Sequence, residues 1–268
     1  MEQITDYEET EYQAIQQWKA EEPGVISYAV GIAVAPIAWL VRKVVPDSAI
    51  MGALDLSNAA AKWLTDMEDV IRDGEVSRIG DLRFKSLEIS DRLANDVHNW
   101  AILTATAEGG LTGLGGIFTA PIDIPFIITW ALRTIHKVGV CYGYECETEA
   151  DKNFCLSILA AAGANSMKEK LAALTTLKTI EVILAKMTWK EISEKAAQQQ
   201  LSKEGAIIAI RALAKQLGVN ITKRRALAAI PVISVLIGGA VNGWYLKDVG
   251  WAARRSFQER WLMENKKI

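Results

Sequence analysis

The stretch GGLTGLGGIFTAPIDIPFIITWALR, residues 109–133, decides how the chain is interpreted. It contains five glycines and two prolines, and before its final arginine the only charged residue is Asp123. Pro121 and Pro125 have no backbone N–H to donate, so a helix tolerates them only outside its body or in its first turn. The stretch therefore predicts two helical pieces with a break at TAPID, not one continuous span.

Asp123 lies two residues before Pro125, which suits it as the N-cap of the second helical piece. Its carboxylate would accept backbone N–H groups and face the positive end of the helix dipole. We expect this helix to run from about Ile124 to Cys141 and to end at Gly143, because glycine readily adopts the left-handed cap conformation. The two helices would form a hairpin with irregular backbone at TAPID. At membrane depth such backbone is tolerated only where protein covers it.

The rest of the sequence is also helical in pattern, and no segment alternates with period two as a strand would. Capping boxes at TEAD (148–151) and TWKE (188–191) predict two further helix starts. The main predicted helical segments are 6–22, 86–106, 124–141 and 223–262. On the amphipathic segment 86–106, one stripe is formed by Leu87, Leu93, Val97, Trp100 and Leu103. The fold class predicted is all-α, a single large helical domain over residues 1–268 with two or three apolar, Gly/Pro-interrupted hairpins.

Three segments are strongly apolar: residues 25–41, 109–132 and 226–246. The third has twenty-one residues and no charge, which at about 1.5 Å per residue is long enough to cross a bilayer. All three are rich in the small residues that let helices pack closely inside a protein. Two interpretations stay open: helices buried in or docked on a water-soluble body, or insertion of at least one pair into a bilayer.

Charge is distributed unevenly along the chain. The net charge of −2 gives no overall attraction to nucleic acid. The acidic N-terminal helix, residues 1–22, carries seven acids against one base, whereas the basic C-terminal region, residues 223–268, carries nine bases against three acids. The two ends are expected either to clasp each other or to leave the basic end facing anionic lipid.

The three cysteines are Cys141, Cys146 and Cys155, an odd number without paired spacing. This usage predicts reduced thiols and a cytoplasmic protein, and the acidic start shows no secretory signal. Neither histidine lies at a ligand spacing from a cysteine, so no zinc site is predicted. A pair between His136 and Cys141 or Cys155 is not favoured, because helical spacing does not align position 136 with 141.

Catalytic motifs are absent from the sequence: there is no G-x-S-x-G, Walker A or H-E-x-x-H pattern. Asp91, Asn95 and His98 share a helical face and could offer metal ligands, but a surface or packing role is commoner for such a group. The sequence therefore predicts no catalytic residue, no metal and no cofactor.

Candidate ligand-binding residues lie around the central hairpin. Arg133, His136 and Lys137 share a helical face and could form an anion-binding edge, with a solvated face as the alternative. Asp123 could pair with Arg133, Arg254 or Asn242, or hold a polar group of a ligand. The candidate ligand-binding residues are Asp123, Arg133, His136, Asn242 and Arg254.

Nine tryptophans are the remaining signal. Tryptophan gathers where an apolar body meets a wet edge, including membrane interfaces, although it also fills helical cores. Trp39, Trp244 and Trp251 each lie three residues before a base, near the end of an apolar segment. The predicted membrane-contact residues are Trp39, Trp244, Trp251, Arg254 and Arg255.

Three segments carry a resemblance to a known family. TGLGGIFTAPIDIPFIITWALRTIHKVGVCYGYE (112–145) and KRRALAAIPVISVLIGGAVNGWYLKDVGWAARRSFQERW (223–261) resemble the centre and the end of the EcsC family. The opening YEETEYQAIQQWK (7–19), before the apolar segment 25–41, is similar to the start of that family, so the resemblance covers most of the chain. The residues that carry the resemblance are Asp123, Pro125, Arg133, Tyr142, Gly143, Pro231, Asn242, Ala253 and Arg254. The family takes its name from a bacterial operon that also encodes an ABC exporter, and no catalytic residues are established for it. The resemblance implies a mostly helical bacterial protein associated with a membrane or transporter.

The leading hypothesis is a non-enzymatic, cytoplasmic protein that binds lipid or lies peripherally on the inner face of the cell membrane, accessory to an ABC exporter. Its expected partners are a lipid or anionic membrane surface and a transporter subunit, and no nucleic acid. One alternative is a membrane-inserting or permeabilising protein. A further alternative is a lipid-acting enzyme that uses Asp123, Arg133 or His136.

Overall fold

The protein is all-α, as predicted. The computed structural model describes residues 4–23, 58–62, 65–113, 123–164, 166–186 and 231–268, with the backbone alone at 105–113, 123–128, 183–186 and 231–245. No strand occurs in these ranges. The helices are α1 (Asp6–Ala20), α2 (Glu68–Asp73), a 3-10 helix (Ile79–Phe84), α3 (Leu87–Gly113), α4 (Asp123–Cys141), α5 (Glu149–Ala162), α6 (Met167–Lys186) and α7 (Pro231–Glu264), with a short helical segment at 58–62.

Reciprocal side-chain caps fix where two helices begin. At the start of α1, Thr5 Oγ1 accepts the Glu8 N–H at 3.2 Å, and the Glu8 carboxylate accepts the Thr5 N–H at 2.7 Å. Thr148 and Asp151 form the same arrangement at the start of α5, which confirms the capping box predicted at TEAD. Each N-cap contributes about 0.5–2 kcal/mol to stability. The box predicted at 188–191 lies outside the described residues.

Helix α4 ends where the sequence predicted. Its described part begins at Asp123 and ends at Cys141, and Gly143 follows with φ +85. A Cβ at Gly143 would also lie 2.6 Å from Cγ and 2.8 Å from the backbone N of Arg83, so both conformation and space require glycine there. The Asp123 side chain and the break at TAPID lie outside the described part of the chain, so the N-cap role stays a prediction.

The central layer is formed by α3, α4 and α7, with α1, α5 and α6 packed against it. Helix α7 runs antiparallel to α3, and α4 also runs antiparallel to α3. The core is aromatic where α7 meets α4 and α5: the Phe257 ring centroid lies 6.3 Å from that of Tyr142, 5.7 Å from Tyr144 and 5.2 Å from Phe154. Rings at these separations add about 0.5–1.5 kcal/mol per pair beyond the area they bury.

The polar face of α3 is a packing surface. Asp91 accepts hydrogen bonds from the hydroxyls of Tyr7 and Tyr142 and, at 2.7 Å, from Gln258 Nε2. Its burial raises the pKa of the carboxyl, an effect that these three donors oppose. A single buried carboxylate thereby joins α1, α3, α7 and the end of α4, and the packing role expected for this face is confirmed.

The other two polar residues of this face also meet α7. Asn95 Oδ1 accepts a hydrogen bond from Arg254 Nη1 at 3.1 Å. His98 Nε2 donates to the Lys247 carbonyl oxygen at 3.0 Å. Burial, reinforced by the nearby Arg254, lowers the pKa of His98 to about 4, so its ring is neutral at pH 7.

Replacing Gly250 by Ala is expected to destabilise the protein by about 1–3 kcal/mol, the usual effect of overpacking. A Cβ at this position would lie 2.1 Å from His98 Cδ2, so α3 and α7 would have to move apart. Urea unfolding of Gly250→Ala, compared with Gly80→Ala, checks this, because a Cβ at Gly80 has no neighbour within 4 Å. Equal stability of the two variants would contradict the prediction, and adding His98→Ala to Gly250→Ala should relieve the clash.

Candidate functional site

One end of the α3–α4–α7 layer is almost free of charge. Since α4 and α7 both run antiparallel to α3, the last turns of α3 and the first turns of α4 and α7 lie at the same end. We call residues 101–113, 123–132 and 231–246 the apolar end. Its only charged residues are Glu108 and Asp123. The fold thus gathers the apolar stretches at 109–132 and 226–246 in one place, as far as the structure describes them.

Two tryptophans, a leucine and an arginine border the apolar end. Trp100 is 51% exposed and Leu103 is 68% exposed. The Trp100 and Trp130 ring centroids are 6.3 Å apart, and the Arg133 guanidinium carbon lies 5.3 Å and 5.2 Å from them. We call Trp100, Leu103, Trp130 and Arg133 the tryptophan rim. It places exposed apolar surface beside a positive charge.

The sequence did not single out the tryptophan rim. The apolar stripe of α3 faces the core at Leu87 and Leu93, but the same stripe reaches solvent at Trp100 and Leu103. Periodicity shows which residues share a face and cannot show where along that face the neighbouring helix stops covering it. The three-residue spacing of Trp130 and Arg133 was the available signal, because it stacks the two side chains on one helix.

The predicted anion-binding edge is divided among separate partners. His136 and Lys137 are buried, so the alternative of a solvated face is wrong for both. Lys137 Nζ donates to the carboxylate of Asp69 and to the backbone oxygen of Asp66. His136 lies against Asn58, Cys146 and Cys155. Ligand binding by Arg133 and His136 stays a prediction, and it cannot use the three residues as one edge.

The basic C-terminal region clasps the acidic N-terminal helix. Arg255 Nη1 donates to Glu11 at 2.5 Å, Lys267 Nζ lies 3.5 Å from a Glu8 oxygen, and Lys19 pairs with Glu259. One of the two arrangements that the charge distribution suggested is thus confirmed. These ion pairs hold α1 against α7.

The predicted membrane-contact residues have varied placements. Arg254 is buried, and its guanidinium carbon lies 4.6 Å from the Trp251 ring centroid, with that of Arg255 at 5.1 Å. Membrane contact by these three residues stays a prediction, although both guanidinium groups are engaged within the protein. Trp39 lies outside the described residues. Trp244 and the ligand candidate Asn242 lie on α7 at the apolar end, where the structure describes the backbone alone.

A histidine and two cysteines meet in the interior, contrary to the expectation from spacing. His136 Nδ1, Cys146 Sγ and Cys155 Sγ lie within 4.8 Å of one another, and all three residues are buried. Cys155 Sγ is 4.0 Å from His136 Nδ1, whereas Cys141 instead donates to the Lys137 carbonyl. The expectation failed because α4 and α5 pack side by side, which no sequence spacing expresses.

Electrostatics in this cluster favour a thiolate at one position. A hydrogen bond with Cys155, aided by His136 and opposed by burial, lowers the pKa of Cys146 to about 6. The same hydrogen bond, together with burial, raises the pKa of Cys155. On the far side of the imidazole, His136 Nε2 lies 2.9 Å from Asn58 Oδ1.

The profile of the EcsC protein family matches residues 9–262. This chain belongs to the EcsC protein family. It is also similar to the uncharacterized protein YdbA of Bacillus subtilis (strain 168), with 24% identity over 221 residues that cover 77% of this chain and 73% of YdbA. No solved structure matches the chain. The resemblance to the EcsC family is therefore confirmed, and the matched residues run from α1 to the last turns of α7.

Among the helices described for this EcsC protein, none is long and apolar enough to cross a membrane. Two features of the described residues are candidates for function: the apolar end with its tryptophan rim, and the His136–Cys146–Cys155 cluster. Trp100 and Leu103 of the rim are exposed, whereas the three residues of the cluster are buried. The two are separate features, because the rim is at the surface and the cluster lies between α4 and α5.

Proposed function

We propose that this EcsC protein binds an anionic membrane surface through its apolar end and tryptophan rim, without catalysing a reaction. The observation that carries the proposal is the exposure of Trp100 and Leu103 beside Arg133, at the end of the layer where the helices carry almost no charge. Exposed apolar patches of this kind mark interaction sites. Indole rings lie at the head-group level of a bilayer, and guanidinium groups bind phosphate oxygens.

Several features fit a peripheral place on the inner face of the cell membrane. The three thiols are free and buried, which suits a reducing compartment. Arg133 is the cation of the rim, beside Trp100 and Trp130. The proposal also includes a transporter subunit as a partner, because the family takes its name from an operon that encodes an ABC exporter.

Replacing Leu103 by Glu is expected to weaken binding to phosphatidylserine-containing vesicles about tenfold or more, because a buried leucine contributes about 1.5–3 kcal/mol and anionic lipid repels the new carboxylate. Co-sedimentation of the purified protein with these vesicles measures the effect. Phe84→Glu is the matched control. Phe84 is also highly exposed, at 86%, but it lies in the 3-10 helix that packs at the opposite end of α4.

Equal binding by Leu103→Glu and Phe84→Glu would contradict the proposal. Arg133→Gln should weaken binding to anionic vesicles by about 1 kcal/mol and leave binding to zwitterionic vesicles unchanged. Release of an entrapped dye by the unmodified protein would favour the permeabilising alternative over surface binding.

A further inference from the structure

We propose that His136, Cys146 and Cys155 bind one zinc ion inside the protein. This site is independent of the proposed membrane surface, because the cluster is enclosed between α4, the loop after it, and α5. Nitrogen and sulfur are the ligand atoms that zinc prefers. Hard cations such as Mg²⁺ and Ca²⁺ prefer oxygen and are disfavoured here.

The distances are close to those of a metal-bound site. Tetrahedral zinc, with Zn–S about 2.3 Å and Zn–N about 2.0–2.1 Å, places neighbouring ligand atoms about 3.5–3.8 Å apart. Cys155 Sγ and His136 Nδ1 are already 4.0 Å apart, and the whole set lies within 4.8 Å. Shifts of about one ångström or less in side-chain position would complete the geometry.

Asn58 prepares the histidine for a metal. Its Oδ1 is an acceptor 2.9 Å from His136 Nε2, so Nε2 carries the proton and Nδ1 keeps the lone pair that faces the thiols. Metal-binding histidines have such a partner on their second nitrogen, where it fixes the tautomer and the ring orientation. A histidine that served only to fill space would not need this polarity.

Charge balance selects a divalent ion. Two thiolates and one Zn²⁺ form a neutral set, which is what an apolar interior tolerates, whereas Cu⁺ would leave a net negative charge. The positive charge of Arg260 favours a thiolate at Cys155, but the negative charge of Asp151, to which Arg260 Nη1 donates at 2.8 Å, opposes it. Three protein ligands leave a fourth coordination position for water or a small molecule.

The backbone at Cys146 gives a second, independent observation. Cys146 has φ +53, in the left-handed region where a residue with a Cβ costs about 1–2 kcal/mol. Such strain persists where the surroundings hold the residue in place, and it concentrates at functional sites. Here the unfavourable φ directs the thiol towards His136 and Cys155.

The test is zinc titration of the purified, reduced and chelator-stripped chain against a chromophoric chelator. We expect one zinc per chain with a Kd below about 1 µM, an increase in Tm, and thiolate-to-cobalt charge-transfer bands when Co²⁺ replaces zinc. Cys155→Ser should weaken zinc binding about 100-fold or more, and Asn58→Ala, which keeps all three ligands, about 10–100-fold. Cys141→Ser is the matched control, since Cys141 is an equally buried thiol outside the cluster, and it should retain one zinc.

Circular dichroism of the metal-free variants separates lost ligands from lost folding, and Asn58→Ala keeps the test decisive if Cys155→Ser does not fold. Binding weaker than about 100 µM, equal loss of zinc in Cys141→Ser, or normal zinc binding in both cluster variants would overturn the proposal. A Cys146–Cys155 disulfide that forms at cytoplasmic redox potential and excludes zinc would overturn it as well.

Discussion

Replacing Arg260 by Met is expected to destabilise the protein by about 3–5 kcal/mol, the usual effect of breaking a buried ion pair from one side. Arg260 is only 3% exposed. Its Nη1 donates to Asp151 at 2.8 Å and its Nε to Glu264 at 2.9 Å, and its guanidinium carbon lies 4.0 Å from the Tyr144 ring centroid. Methionine would fill the space but leave the Asp151 carboxylate buried without its cation.

Urea unfolding at pH 7 measures this effect. Arg78→Met is the matched control, because the Arg78 side chain is 81% exposed and pairs with Asp81 on the surface, where an ion pair contributes about 1 kcal/mol or less. Adding Asp151→Asn to Arg260→Met should recover part of the loss, since the amide keeps an acceptor for Thr148 and carries no charge. A loss below 1 kcal/mol in Arg260→Met, or a double variant no more stable than the single one, would show that the pair contributes little.

Arg260 also affects how membrane experiments are interpreted. It belongs to the basic C-terminal region, which the charge distribution predicted could face anionic lipid. In the structure its partners are Asp151 and Glu264. A variant that neutralises Arg260 and loses vesicle binding therefore reports on the fold first. Leu103→Glu avoids this difficulty, because Leu103 is exposed.

Replacing Glu181 by Gln is expected to stabilise the protein by about 2–4 kcal/mol at pH 7.5, and much less at pH 5. Burial, and then the nearby charge of Glu259, raises the pKa of Glu181 to about 8. Among the described residues its oxygens accept no hydrogen bond, and the Lys178 ammonium is 3.5 Å away. Glutamine has nearly the same shape as glutamate but cannot ionise, so the substitution removes the cost of burying a charge at this position.

The direction of the pH effect follows from proton binding. The folded protein holds the Glu181 proton up to about pH 8, whereas the unfolded chain releases it near the ordinary glutamate pKa, about 4.3. The contribution of Glu181 to the free energy of unfolding is therefore fully present below the unfolded-state pKa of about 4.3. As the pH rises from there to the folded-state pKa, this contribution falls by up to about 1.4 kcal/mol per pH unit. Unfolding curves at pH 5, 6.5 and 7.5 test this. The control is Glu88→Gln, at an exposed position of α3, which should leave the pH dependence of stability as it is in the parent protein. If the stability of Glu181→Gln changed with pH in parallel with that of the parent protein, the prediction would be contradicted.

Local chemistry determined the features that the sequence predicted correctly. The all-α class, the end of α4 at Cys141, the glycine cap at Gly143 and the capping box at Thr148 depend on residues within a few positions of one another. Helix propensity, proline exclusion and capping act over this range. The clasp between the chain ends was also foreseen as an alternative, because charge asymmetry can be counted without a structure.

Tertiary packing decided the candidate sites. The sequence contained His136, Cys146 and Cys155, but their proximity depends on how α4 and α5 lie against each other, and their spacing of ten and nine residues carries no trace of it. The exposure of Trp100 and Leu103, on a stripe that elsewhere faces the core, depends on which part of α3 the other helices cover. The sequence by itself determined the helices and their ends, because those follow from contacts close along the chain, whereas the exposed tryptophan rim and the buried cluster follow from contacts between residues far apart in it.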